Sequence, residues 1–156
     1  MIFDGRIGED FKLNTGTWVS VGSLRAQLIA AGNGLIQDVV ITGHDNEFVG
    51  AIIFAGIDDC KQLAGLAKEA ALHEVVQHKA VKEKLQELLN EMAIKSTGSA
   101  SLIKKAVFAD FNLNIDKGEI TDKGSINQRA IIKNHPDIVE RLYALKIDDT
   151  IIEVKK

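Results

Sequence analysis

Cys60 is the only cysteine in this chain. A lone thiol excludes an internal disulfide and any multi-cysteine metal site, and it fits a reducing compartment, so a cytoplasmic location is expected. An excess of positive charge is also missing. The 19 Lys and Arg are outweighed by 22 Asp and Glu, for a formal net charge of −3, which leaves no electrostatic footprint for a nucleic-acid backbone. No apolar run approaches the roughly 20 residues that span a bilayer. The first residues also lack a basic segment followed by an apolar one, so neither a membrane span nor secretion is expected. Gly50 and Gly56 do not make the G-x-G-x-x-G spacing that cradles a nucleotide phosphate. No serine–histidine–acid triad, internal repeat or low-complexity tract is present.

His73 and His78 invite comparison with the zinc-protease signature, which needs two histidines four apart on one helical face. Here they stand five apart, rotated by roughly 140° at 3.6 residues per turn, so a solvated helix face is expected and no metal site. His44 and His135 fall in polar turns with no special role expected. Cys60 follows two aspartates near a helix start and reads as a small buried residue, not a nucleophile.

What is present fits one globular domain: 156 residues, 46% hydrophobic and 26% charged, enough for a modest core. The chain opens on apolar Ile2-Phe3 followed at once by Asp4-Gly5-Arg6, which is expected of the start of a domain and not of a protein. Phe11 and Leu13 alternate with polar neighbours, Asn14-Thr15-Gly16 supplies turn chemistry, and Trp18 to Val21 resumes a strand, so a β-hairpin is predicted. Leu24, Leu28 and Ile29 stand at helical spacing after a candidate N-cap at Ser23, and Gly32-Asn33-Gly34 ends that helix after about two turns. Gln37–Thr42 and Phe48–Phe54 read as buried strands joined by a polar turn. From Asp58 the pattern is helical, with Asp58 or Asp59 as cap and Leu63, Leu66, Ala67 and Ala70 on one face. Val81, Leu85, Leu88 and Met92 make a second stripe, with Lys82, Lys84, Glu87 and Glu91 toward water. Small polar residues, Ser96-Thr97-Gly98-Ser99, end the helical region.

Residues 106–115 show the clearest alternation, with Phe111, Leu113 and Ile115 on one side of a predicted strand. Two Asp-Lys-Gly turns follow, Asp116-Lys117-Gly118 and Asp122-Lys123-Gly124. Helix-like runs at 126–133 and from Pro136 to Leu145 come next, and 147–154 is left as a strand or a tail. The expected class is α+β, an α/β layer: a small mixed sheet with an N-terminal hairpin and flanking helices.

Two stretches carry chemistry. Gly5-Arg6, Glu9-Asp10-Phe11-Lys12-Leu13 and Thr15-Gly16-Thr17-Trp18-Val19 resemble the hinge and first hairpin of the C-terminal domain of the adenylate-forming superfamily of acyl-CoA synthetases. Val107-Phe108-Ala109-Asp110 and Thr121-Asp122-Lys123-Gly124-Ser125-Ile126-Asn127-Gln128-Arg129-Ala130 resemble that domain's terminal catalytic motif. The wording of these segments, with Ile41-Thr42-Gly43-His44-Asp45, is similar to the feruloyl-CoA synthase branch, and the likeness covers nearly the whole chain. The usual motif has its lysine just after the glycine, where this chain has Ser125; here Lys123 precedes it. The hinge carries one extra element, Ile7-Gly8, so that Gly8 is a further candidate pivot.

The resemblance implies a two-step enzyme that turns ATP and a carboxylic acid into an acyl-adenylate and then passes the acyl group to coenzyme A. It implies Lys123, or failing it Lys117, as the adenylation cation. Glu9 and Asp10 become the hinge in a segment covering residues 1–10, and Arg6 meets a nucleotide phosphate. Gly16, Thr17 and Trp18 line the coenzyme A channel. The implied partner is an N-terminal adenylation domain of the same protein, which binds most of the ATP with its magnesium and a small aromatic carboxylic acid. On this reading residues 1–156 are one mobile C-terminal domain, inactive alone. Two other readings stand beside it: an α+β module that binds a partner through residues 58–95, and a coenzyme A-binding regulator without catalysis.

Overall fold

β-Branched runs fix the sheet, and what covers its two faces fixes the rest. The computed structural model describes residues 11–13, 16–32, 34–43, 48–95, 103–109, 113, 115–121, 126–144 and 151–154. The elements are β1 (Phe11–Lys12), β2 (Trp18–Val19), α1 (Val21–Gly32), β3 (Ile36–Thr42), β4 (Val49–Ala55), α2 (Ile57–Ala64), α3 (Leu72–Gln77), α4 (Lys79–Lys95), β5 (Ile103–Phe108), α5 (Gln128–Asn134), α6 (Pro136–Leu142) and β6 (Ile151–Glu153).

A four-stranded sheet runs in the order β3-β4-β5-β6, with β3 antiparallel to β4, β4 parallel to β5 and β5 antiparallel to β6. The parallel pair requires a crossover, and the helical stretch α2–α4 supplies it. Alternate residues of the strands enter two separate cores. Val39, Ile41, Ala51, Ile53, Ala106 and Phe108 pack with β1, β2 and α1–α4. Val40, Ile52, Phe54, Val107 and Ile151 pack with α5 and α6. All of β4 is buried, as a central strand covered on both faces must be. Each such aliphatic side chain contributes roughly 1.5–3 kcal/mol. The α+β expectation therefore holds.

Several local expectations are corrected. Helix α1 begins at Val21, so Ser23 lies in its first turn and receives a hydrogen bond from Gln27 Nε2 (3.2 Å) instead of capping. At 12 residues the helix is also longer than two turns. Gly56, not Asp58 or Asp59, is the N-cap of α2, and Gly65 in the left-handed region (φ 70°) ends it. The proposed Leu63–Ala70 face is thereby broken, and Leu63 is exposed. The Val81–Leu85–Leu88–Met92 stripe does face the core. Cys60, Val75, Val76, Leu89 and Ala93 join it there. Residues 57–95 thus form the cover of one sheet face, and their apolar stripe is not open to a partner.

The strand expected at 106–115 is β5, which starts earlier and stops at Phe108. Ile115 lies in the following turn and is 61% exposed. Asp110–Asn112, the Asp122-Lys123-Gly124 turn, the Ser96–Ser99 loop, Asn14-Thr15 and the 147–150 part of the last run lie outside the described residues. Cys60 is buried as expected, and burial, with the Asp59 carboxylate beside it, pushes its thiol up to about 11.

At the end of the sheet where β3 finishes, Tyr143 stacks on Phe48 with ring centroids 4.7 Å apart. Its hydroxyl lies 3.0 Å from Thr42 Oγ1 and donates to the Phe48 carbonyl at 3.1 Å. Burial pushes that hydroxyl up to about 12. Because the folded value lies above the ordinary one near 10, the folded chain keeps this proton while the unfolded chain loses it. Stability is therefore full below about pH 10 and falls by about 2–3 kcal/mol as pH rises toward 12. The chain has one tyrosine, so a phenolate absorbance titration reads it directly. The midpoint is expected near 12 for the folded chain and near 10 in denaturant; equal midpoints would refute a buried hydroxyl.

Candidate functional site

The hairpin forms as the sequence predicts. Phe11 pairs with Val19 and Lys12 with Trp18. Leu13 N donates to Thr17 O and Gly16 N to Leu13 O, both at 2.9 Å. Gly16 takes φ 87°, a conformation that glycine adopts without a Cβ penalty. Phe11, Leu13 and Val19 turn into the core beside α1, which leaves Lys12 and Trp18 on the outer side. Trp18 is 62% exposed, and Lys12 Nζ lies 5.1 Å from the centre of its ring. An exposed indole with a cation held against it is a platform for a partly apolar, partly anionic partner. The hairpin sits at the finishing end of β3, since a Cβ on Gly43 would lie 3.2 Å from both Leu13 and Phe11.

The residues around the expected lysine lie elsewhere. Ile120 and Ile126 form an antiparallel bridge, and Asn127 N donates to Glu119 O at 2.8 Å. Lys123 stands midway in sequence between these two paired residues and is itself outside the described residues, as are Arg6, Glu9 and Asp10. Asn127 caps α5, its side chain accepting from Ala130 N at 3.2 Å. Gln128 is buried and its Oε1 accepts from Ile41 N at 2.8 Å, which satisfies a donor on the free edge of β3. Ile126 belongs to the core on the α5–α6 face.

Ile120 and Ile126 also line a groove of about 250 Å³ together with Asp38, Phe54, Ala109 and Leu113. The groove lies where β3 begins and β4 and β5 finish. The carboxyl ends of parallel strands are the usual place for a ligand crevice in open sheets. One wall is fixed by a partly buried ion pair: Arg25 Nη2 from α1 lies 3.0 Å from Asp38 Oδ1, which also accepts from Val39 N at 2.8 Å. Lys117, the alternative cation, is exposed in the turn closed by Gly118 (φ 74°), and its carbonyl accepts from Asn134 Nδ2 at 3.4 Å. It does not line the groove.

His135, expected to have no special role, is bonded to a buried acid. Its Nε2 lies 2.7 Å from Glu119 Oε2, which also accepts from Asn134 Nδ2 at 3.1 Å. Nothing in the run Lys117-Gly118-Glu119 distinguishes Glu119 from a solvent-facing turn residue, because its partners lie 15 and 16 residues downstream. His78 is the C-cap of α3 and its Nδ1 accepts from Ala80 N at 3.1 Å. Among the described residues no cluster of His, Cys, Asp or Glu could hold a metal ion, and no helix is long and apolar enough to cross a membrane.

Known proteins resemble this chain in sequence or fold. A probable chloroplastic acyl-activating enzyme 16 of Arabidopsis thaliana is 25% identical over 144 residues, which is 92% of this chain and 19% of the plant protein. The adenylation domain of a carboxylate reductase from Mycobacterium chelonae superposes with a TM-score of 0.65 at 16% identity, covering 88% of this chain and 20% of that one. The corresponding domain from Segniliparus rugosus, solved with AMP and a co-purified carboxylic acid, gives 0.65 at 17% identity over 91% of this chain and 21% of its own. These likenesses establish the fold, and the chain spans about a fifth of the length of each relative. The family model described as the AMP-binding enzyme C-terminal domain matches residues 13–146, and the chain belongs to that family.

Proposed function

We propose that this chain is the C-terminal, mobile domain of an ATP-dependent carboxylic acid–coenzyme A ligase of the feruloyl-CoA synthase kind. The observation that carries the reading is a separation. The hairpin with its exposed Trp18 packs on one face of the sheet at the finishing end of β3, while the residues that bracket Lys123 pack on the other face by the groove at its starting end. A domain that turns between these two elements suits a reaction in two steps.

In the first step a carboxylate oxygen of the acid bonds to the α-phosphorus of ATP as the bond to pyrophosphate breaks. The Lys123 ammonium is assigned to the oxygens on which charge gathers, a positioned donor acting in a water-poor site. In the second step the sulfur of coenzyme A bonds to the acyl carbon, its proton passes to solvent, and AMP departs with the electrons of the acyl–oxygen bond. Gly16, Thr17 and Trp18 are assigned to the pantetheine path, with Lys12 holding the indole in place. Glu9 and Asp10 serve as the pivot and Arg6 as a phosphate contact. The nucleotide and its magnesium are assigned mainly to the N-terminal domain.

The test uses the natural full-length protein. It is expected to catalyse hydroxycinnamate-dependent ATP–pyrophosphate exchange and to form the coenzyme A thioester. Exchange without thioester would make it an adenylating enzyme that delivers its acyl group to another acceptor. Absence of exchange with every carboxylic acid tried would overturn the reading.

A further inference from the structure

We propose that Glu119 is a positioning residue that sets the base of the Lys123 segment for adenylation, an inference that rests on the role just assigned to Lys123. Glu119 is 1% exposed, and a carboxylate is rarely that buried unless it is fully paired. Its oxygen accepts from the last residue of α5, Asn134 (3.1 Å), and lies 2.7 Å from His135 Nε2 at the α5–α6 junction. Its main-chain carbonyl accepts from Asn127, the cap at the other end of α5. One residue thus grips both ends of a seven-residue helix. That helix is in turn fixed to the sheet by the bond between Gln128 and Ile41.

Glu119 directly precedes Ile120, and Asn127 directly follows Ile126, so the bridged pair that flanks residues 121–125 is held from both sides. A buried polar network is seldom the most stabilising way to fill such a site, since an apolar residue of like size often does as well or better. What it gives instead is one geometry for the Ile120–Ile126 bridge from which that segment departs. Positioning matters because a displacement of about 1 Å at a reacting group can cost on the order of a hundredfold in rate.

The experiment compares half-reactions in the full-length protein. Glu119→Ala is expected to lower kcat for acid-dependent ATP–pyrophosphate exchange by about 10- to 100-fold. The KM for ATP should stay nearly unchanged, as should thioester formation from a supplied acyl-adenylate. Glu119→Gln, which keeps an acceptor toward Asn134 and His135, should recover most of the exchange. Glu119→Ala combined with Lys123→Ala should be no slower than Lys123→Ala alone, because the first residue acts through the second. If Glu119→Ala does not fold, Asn134→Ala, an exposed position, carries the test with a smaller loss confined to exchange. Equal losses in both half-reactions, or independent, multiplying losses in the double variant, would overturn the proposal. If Lys123→Ala alone leaves exchange intact, the role of Lys123 fails first and is identified as the cause.

Discussion

Lys123→Ala in the full-length protein is expected to lower acid-dependent ATP–pyrophosphate exchange by two or more orders of magnitude, on the order of 3 kcal/mol of transition-state stabilisation. A supplied acyl-adenylate should still be converted to thioester. The size follows from what a single positioned cation does where charge develops in a site shielded from water. The selectivity follows from the architecture. Ile126, which flanks the Lys123 segment, packs on the α5–α6 face, while the hairpin belongs to the opposite face, so on the proposed reading the lysine side is turned away when the hairpin is in use. Trp18→Ala should show the reverse pattern, slowing thioester formation while exchange persists. Lys117 is the control for charge alone. It is exposed and does not line the groove, so Lys117→Ala should leave exchange near the parent rate. Unchanged exchange in Lys123→Ala together with a loss in Lys117→Ala would transfer the assignment to the earlier turn.

The parts of this fold that the sequence makes legible are those where one local rule decides. The β-branched runs of β3 and β4, the Gly16 turn and Pro136 at the first position of α6 all lie where local chemistry puts them. Errors arise where tertiary cover outweighs pattern. Val21 reads as the end of a strand, yet it opens α1 with its side chain fully buried in the core. The alternation at Phe111, Leu113 and Ile115 looks like a half-exposed strand. The real strand is the run before it, Ile103–Phe108, buried at every position but Lys104 because helices cover both faces of the sheet.

The candidate site divides in the same way. The hairpin is local and legible. The pairs Arg25–Asp38, Glu119–His135 and Ile41–Gln128 join residues 13, 16 and 87 positions apart, and neither helical nor strand periodicity reports on contacts at such separations. For that reason His135 reads as an idle turn residue although it contacts a buried acid.

Gly56→Ala is expected to destabilise the domain by about 3 kcal/mol or more, measured as a fall in the denaturant midpoint at constant m-value. Gly56 joins the end of β4 to α2 with φ −75° and ψ 93°, which alanine also adopts, so backbone conformation is not the obstacle. Space is the obstacle. A Cβ there would lie 1.9 Å from the Gly34 carbonyl oxygen and 3.0 Å from its carbon. These atoms are main chain and cannot swing aside as a side chain would. The same approach is held by the bond from Gly56 N to Leu35 O at 2.8 Å, so relieving the clash costs that bond or shifts the α1–β3 turn. Gly65→Ala separates this effect from the ordinary glycine penalty. Gly65 has φ 70° and open space around it, so only the left-handed cost of about 1–2 kcal/mol applies. A larger loss at Gly65 than at Gly56 would mean that the β4–α2 junction yields easily. The groove at the ends of β4 and β5, walled by Ala55 and Ile57 on either side of Gly56, would then be a deformable surface instead of a fixed one.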